Sequence, residues 1–485
     1  MPLPVRGTIY VALSLLLVLS LSCSDEAADS DSGPNDVGDV GHGSADTFTG
    51  ADIEVQDTSP PEDTSTPPED VGGIDADTID EPETPAARGL FLSQELWERS
   101  QQRITDGEEP FATSYSIQRG RANSSLEREA NPFAMNVQEI TFGWCGSAGE
   151  DTLAEATGRL EQESDWMRTL ALEFALTGEE EYGEKATEMM VAWAEDHTEV
   201  NMYDFNPDFS SASIDGQTDG FCSDRPWNFV LDGMWQAYGL INAADAYLLL
   251  TRSGFELSSE EDDAIRDWLL RLTEAVNSSF HGWTRWADHH PNAGSYERYR
   301  SDNHLSWSLA GLLAAAAALG DEDLAHYVLH GGEWTDRRAG AYENPSYVRD
   351  VIRRAIEGDE EGERGRFYEE KILRDPPVGY SLFHLWALVL VAQIAELHFD
   401  DDLWTFTADG SGSIRDAYDR YVDFVLGERE SPEPSQDGDM TSRSWHFEVA
   451  LHKWEDPRYR QAVEQLDRHR FIVQSWGPLS LIFGE

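Results

Sequence analysis

Two short runs set an amide, an imidazole, a guanidinium and a phenol at the starts of strongly apolar segments. The first is Ser301-Asp302-Asn303-His304-Leu305-Ser306-Trp307. Ser301 or Asp302 is placed to cap a helix, so Asn303 and His304 fall in its first turn. Trp307 follows His304 by three residues and Asn303 by four, which puts all three on one face. The second run is Arg374-Asp375-Pro376-Pro377-Val378-Gly379-Tyr380-Ser381-Leu382-Phe383. Its prolines and Gly379 end one element, and Tyr380 opens the next. Polar residues at the open ends of apolar helices are where a helical bundle builds a site. An amide donor and a fork-shaped cation suit a carboxylate. A phenol and an imidazole suit proton transfer. The combination fits removal of a proton beside a bound acid group, and no step of that chemistry needs a metal or a cofactor.

Each residue also has a plainer role. A first-turn Asn caps its helix, a His beside a Trp is often a satisfied structural group, and a Tyr at the start of a buried helix packs with its hydroxyl on a carbonyl. Asp232, Asp302 and Asp375 are acids that could instead face each other across a cleft, as glycoside hydrolysis requires.

A third stretch precedes the Asn-His pair. It runs His281-Gly282-Trp283-Thr284-Arg285-Trp286-Ala287-Asp288-His289-His290 and then Tyr296-Glu297-Arg298-Tyr299-Arg300. Its Trp and Arg residues could form sugar-stacking platforms and carboxylate-binding cations, or pack as ordinary loop. Trp227 and Trp235, after Arg225, are weaker candidates of the same kind. Adjacent His289 and His290 cannot easily face one metal, and no acidic partner stands at ligand spacing.

The elements around these runs read as helices almost throughout. Apolar residues recur at helical spacing in Asp165–Leu176, Tyr182–Ala194, Ser259–Val276, Asp321–Leu329, Ser346–Ala355, Ile414–Leu426, Ser444–Leu451 and Arg458–Asp467. Three further helices are apolar on nearly every side: Trp235–Leu250, Leu305–Leu319 and Tyr380–Leu397. Helices of that kind are buried all round. Their recurrence, with amphipathic helices between, predicts an all-α (α/α) toroid with inner helices around an axis and outer helices wrapped about them. No fixed-period repeat supports a solenoid, and Gln393, Glu396 and the short lengths argue against membrane spans. Long loops are expected at 198–230 and 277–302.

The two ends of the charge distribution differ. Arg6 and the apolar run Ile9–Leu21 lead to Leu21-Ser22-Cys23-Ser24, which reads as a signal peptide over residues 1–22 with Cys23 as the lipidated residue. Ser20 stands where Leu is usual. Residues 24–87 hold 19 acids and no Lys or Arg, with many Ser, Thr, Pro and Gly. So few apolar side chains cannot offset the entropy of ordering, so 23–87 is expected to be a disordered acidic tether. The folded domain is expected over 88–485. The whole chain of 485 residues has a formal charge of −58, and the excess of acids continues beyond residue 87. This argues against nucleic acid and anionic lipid as partners, and a polyanion would have to meet bases gathered in one cleft. A salt-adapted surface explains the same charge. Beyond Cys23 there are two cysteines, Cys145 and Cys222, and an exported domain permits a disulfide between them.

With these runs in hand, the chain resembles the alginate lyase family of helical polysaccharide lyases. Members carry Asn-Asn-His-x-x-Trp, matched here by Asp302-Asn303-His304-Leu305-Ser306-Trp307. They also carry an Arg followed by His-Tyr-Ser-Leu-Phe-x-Leu, matched by Arg374 and then Gly379-Tyr380-Ser381-Leu382-Phe383-His384-Leu385. Trp166–Gly178 resembles the family's first helical hairpin, and Asp245-Ala246-Tyr247 its Ala-Tyr-Asp helix. The order holds over roughly residues 130 to 400. Asp302 stands where many members have a second Asn, and Gly379 where many have His; both bear on which uronate fits.

The resemblance implies an enzyme acting on an acidic polysaccharide by β-elimination; export is expected from the N-terminal composition, and the protein is expected to be a monomer. Asn303 and Arg374 would neutralise the uronate carboxylate. Tyr380 would take the C5 proton and return one to the leaving oxygen, while His304 would be base for the opposite stereochemistry or an orienting donor. Trp307, Arg298, Arg300, Trp283, Trp286 and His384 would bind sugar. A glycoside hydrolase and a non-catalytic surface glycan-binding lipoprotein are the competing readings.

Overall fold

The computed structural model describes residues 87–134, 147–201, 227–289, 301–338, 340–344, 346–358, 362–372, 376–433, 443–466, 468 and 477–485; for 147–155, 227–232, 283 and 285–289 it describes the backbone alone. The expected signal peptide, the Cys23 tether, Cys145 and Cys222 lie outside the described residues.

In chain order the helices are α1 (Gln94–Asp106), α2 (Phe111–Leu126), α3 (Ser147–Thr177), α4 (Glu180–Asp196), α5 (Trp227–Arg252), α6 (Ser259–His289), α7 (Asn303–Leu319) and α8 (Glu322–His330). A two-stranded antiparallel hairpin follows, β1 (Glu333–Asp336) and β2 (Gly340–Glu343), with Trp334 opposite Tyr342. Then come α9 (Val348–Ala355), α10 (Tyr368–Lys371), α11 (Pro377–Phe399), α12 (Ile414–Val425), α13 (Phe447–Trp454), α14 (Pro457–Glu464) and α15 (Leu479–Phe483).

The apolar runs become the inner helices, as expected. Every residue of α7 except Leu319 is buried, as is most of α11. Among the described residues α11 alone is long and apolar enough to cross a membrane, and 89% of its apolar window is buried in protein. Gly311 lets α7 approach α5 closely: a Cβ there would stand 2.7 Å from the Ala237 Cβ and 3.0 Å from its Cα.

Contacts along the helices fix their directions. From α3 to α5 they rise together, Leu160 beside Gly239 and Ser164 bonded to Asn242 at 3.4 Å. From α5 to α6 they run oppositely, with Ser279 against Gly233 but Asp262 accepting from the Tyr247 hydroxyl at 2.6 Å. Arg266 of α6 donates both to Tyr247 and to the carbonyl of Leu319, at the end of α7. Near the other end of α7, Trp307 packs on Tyr238. The last residues of α5 and α11 meet where Arg252 lies 3.2 Å from His398. So α3, α5, α7 and α11 are parallel, with their N-termini at one end, the mouth, and their C-termini at the other, the floor. That is the α/α toroid.

The chain enters at the floor. Leu90 N–H donates to Asp245 at 2.7 Å, its carbonyl faces His398 at 3.3 Å, and Arg252 donates to the Ala87 carbonyl at 3.3 Å.

Several helix starts in the sequence reading need correction: α3 begins at Ser147 rather than Asp165, and α5 at Trp227 rather than Trp235, inside the loop expected at 198–230. Two further departures have a reason in the local contacts. First, α6 continues thirteen residues past Val276, through a stretch read as loop. Asn277, Ser278 and Ser279 look like breakers, yet all are buried; Asn277 accepts from the Tyr327 hydroxyl at 2.9 Å and Ser278 donates to the Ala275 carbonyl at 2.7 Å. Second, α11 begins at Pro377, three residues before Tyr380. Proline suits a first helical position, where its missing N–H costs nothing.

Three buried histidines make the fold sensitive to acid. Burial pushes His197 and His446 down to about 3 and His398 down to about 4. In the unfolded chain each takes a proton near about 6.5. Between these values the unfolded state binds more protons, so stability rises with pH. Burial pushes Asp245 up to about 6, which opposes part of this effect. Denaturant midpoints are therefore expected to fall as pH drops from about 6.5 toward about 4, and a flat response would contradict the assignment.

Candidate active site

The mouth is built from the first turns of α7 and α11. Asp302 is the N-cap of α7, in extended conformation, and its side chain accepts from His304 N–H and Leu305 N–H. Its other carboxylate oxygen lies 3.2 Å from the His304 Nδ1. With Nδ1–H donating to Asp302, Nε2 is left as the imidazole's acceptor. Asp302 thus has both oxygens engaged with α7 itself, which does not suit it to act as one of two opposed acids on a sugar. The side chains of Asp232 and Asp375 lie outside the described residues.

The second wall follows from helix geometry. One turn below the candidate groups, Trp307 and Phe383 pack with ring centres 5.1 Å apart. His304 is three residues before Trp307, and Tyr380 three before Phe383. In the next column, Ser306 Oγ lies 2.6 Å from His384 Nε2. Asn303 is three residues before Ser306, and Tyr380 four before His384. Residues three and four apart stack on one face of a helix, and α7 and α11 run parallel. Asn303, His304 and Tyr380 therefore share the mouth. Tyr380 is half-buried, while Asn303 and His304 are 1% and 7% exposed.

A cation that sequence reasoning missed stands beside the phenol. The Arg443 guanidinium lies 5.4 Å from the centre of the Tyr380 ring and 5.6 Å from that of Phe383. Arg443 follows Tyr380 by 63 residues in an aperiodic stretch, so no local pattern points to it. Arg374, the cation expected here, lies outside the described residues.

The expected sugar-binding residues divide. Trp307 is fully buried, packed on Tyr238, Phe383 and Trp386 at 4.7, 5.1 and 5.2 Å. It supports the site from behind and offers no face to a sugar. His384 is also enclosed: besides Ser306, its Nδ1 is 2.9 Å from Glu369, and its ring packs on Phe367 at 4.7 Å. With no exposed surface and both nitrogens engaged, it belongs to the wall rather than to the substrate surface. Trp283 and Trp286 lie on the last turns of α6, at the mouth end, with their side chains outside the description. Arg298 and Arg300 lie outside the described residues altogether. His281 is buried, its Nε2 2.7 Å from the Tyr327 hydroxyl and its ring 4.1 Å from Tyr342. Trp235 is partly buried against the core. Among the described residues no group of three His, Cys, Asp or Glu is arranged to hold a metal.

A family model described as alginate lyase matches residues 112–431. Among solved structures, an alginate lyase from Bacteroides ovatus is 17% identical, with a TM-score of 0.54, covering 82% of this chain and 99% of its own. A tetrasaccharide complex of alginate lyase A1-III is 13% identical, with a TM-score of 0.50, covering 84% of this chain and 99% of its own. The apo form of a variant of the same enzyme is 14% identical, with a TM-score of 0.50 and coverages of 82% and 96%. At these identities the likeness concerns the fold. No curated protein sequence matches the chain.

Loss of an N-cap costs about 1 kcal/mol. Asp302→Ala is accordingly expected to lower the unfolding free energy by about that amount, whereas Asp302→Asn keeps a capping acceptor and stays close to the parent. Denaturant titration of the two variants distinguishes them.

Proposed function

The chain belongs to the alginate lyase family and is a polysaccharide lyase; from that premise we propose that Asn303, His304, Tyr380 and Arg374, joined by Arg443, carry out β-elimination on a uronate polymer such as alginate. The observation that supports this most is the convergence of the first turns of α7 and α11 above the Trp307–Phe383 pair.

The reaction breaks the C5–H bond, turns its electron pair into a C4=C5 double bond, and breaks the bond from C4 to the linking oxygen. The C5 proton becomes labile when the adjacent carboxylate is neutralised. Asn303 and Arg374 supply an amide donor and a cation for that carboxylate. The parallel inner helices point their positive N-terminal ends at the same place, which favours an anion within an acidic protein. Tyr380 takes the C5 proton and protonates the leaving oxygen when both lie on one face of the sugar. Arg443 is the positive charge that accompanies the phenolate while the proton is in transit. For a uronate of opposite C5 configuration the imidazole of His304, oriented by Asp302, takes the proton and Tyr380 serves as the acid.

An unsaturated uronate absorbs near about 232 nm, so product formation is read directly, and general acid–base groups of this kind contribute about 10²–10⁴-fold. Tyr380→Phe is expected to lower kcat on the preferred uronate polymer by that factor while leaving the protein folded. Absence of product from the folded parent on alginate and on glycosaminoglycans would overturn the reading. Reducing ends without an unsaturated bond would favour hydrolysis instead.

We also propose that the chain is exported as a monomer, lipidated at Cys23, and held to a membrane by the acidic tether of residues 24–87. The support is the composition of those residues: a basic start, an apolar run, a small residue before Cys23, then 19 acids with no Lys or Arg. Metabolic labelling with a fatty acid is expected to mark the parent and to miss Cys23→Ala; labelling of both would remove the anchor assignment.

A further inference from the structure

Beneath the mouth, three helices are joined by one chain of side-chain contacts. Glu369 of α10 lies 2.9 Å from His384 Nδ1, and His384 Nε2 lies 2.6 Å from Ser306 Oγ. Ser306 Oγ also stands 3.5 Å from the carbonyl of Asp302, the residue that caps α7 and holds His304. Glu369, His384 and Ser306 are at most 1% exposed. The second oxygen of Glu369 is buried and has no hydrogen-bond partner among the described residues. Apolar side chains would fill the same space without that cost, since burying polar groups destabilises unless all are satisfied.

The order Ser–His–Glu is that of a hydrolytic triad, with a base between a hydroxyl and an orienting carboxylate. Here the hydroxyl is sealed in the core, so no acyl group can reach it. What the chain does reach is the alignment of the two walls. Asn303 lies one turn above Ser306, and Tyr380 one turn above His384. The carboxylate accepts Nδ1–H, which leaves Nε2 to accept the Ser306 proton. That bond sets the rotation of α7 against α11 at the turn directly below the reacting groups.

Glu369 is fixed in turn by its neighbour. Glu370 is bonded through both carboxylate oxygens to Arg420 of α12 and accepts from the Tyr421 hydroxyl at 2.8 Å. Thus α10, four residues long, is held between α11 and α12 by two consecutive glutamates.

We infer that Glu369, His384 and Ser306 are positioning residues for the elimination, a buried relay that registers Asn303 and His304 against Tyr380. The inference rests on the lyase reading above. Misplacement of reacting groups by about 1 Å costs about 10²-fold in rate, and it acts on turnover more than on binding. Ser306→Cys, close in size but a weak donor, is expected to lower kcat about 10-fold with KM within about 3-fold of the parent. Glu369→Leu, which removes the Nδ1–H acceptor, is expected to do the same, while Glu369→Gln keeps a carbonyl acceptor and restores kcat to within about 3-fold. A purely structural role would shift melting temperatures without this split or rescue. The inference fails if the parent is active and folded Ser306→Cys turns over at the parental rate. An inactive parent would remove the lyase reading and this inference with it.

Discussion

Three of the four inner helices meet at the indole of Trp307. It touches Tyr238 of α5 and both Phe383 and Trp386 of α11, and it has no exposed surface. Aromatic contacts of this kind are worth about 0.5–1.5 kcal/mol each beyond the area they bury. More important is their location, one turn below the residues that face the mouth. Because an interior packed at crystal density transmits displacement, the position of the indole fixes the spacing between the wall that carries His304 and the wall that carries Tyr380.

The parallel arrangement of the inner helices brings their N-terminal dipoles to one end of an acidic protein whose family acts on an acidic polysaccharide. The chain carries a formal charge of −58, yet the described acids near the mouth are engaged: Asp302 with α7, Glu369 with His384, and Glu370 with Arg420. The Arg443 guanidinium beside Tyr380 and the N-terminal dipoles of the inner helices are positive groups described at that end, and neither depends on the net charge of the chain.

The sequence made the inner helices and their polar first turns legible, because an all-round apolar run beginning with a cap has few other meanings. It concealed contacts made across the fold. His384 in an apolar helix reads as a functional outlier, and only the fold brings Glu369 and Ser306 to its two nitrogens. Trp307 reads as a sugar platform, because spacing places it on the face of His304 without telling how deep that face lies. Arg443 carries no periodic signal at all. Helices α1 and α2 carry no such signal. They are short of buried apolar residues, and α1 ties to the far end of the chain, Ser100 donating to the Leu481 carbonyl at 2.7 Å. The extension of α6 is hidden by its polar residues, of which Asn277 and His281 meet Tyr327 on α8 and Ser278 turns back onto its own helix.

The entry of the chain at the floor has a mechanical consequence. Ala87 and Leu90 are bound to the C-terminal ends of α5 and α11, through Arg252, Asp245 and His398, whereas His304 and Tyr380 lie at the N-terminal ends of the inner helices. A pull on the preceding segment is borne by the floor and passes into the long axes of α5 and α11, leaving the opening between the first turns outside the load path.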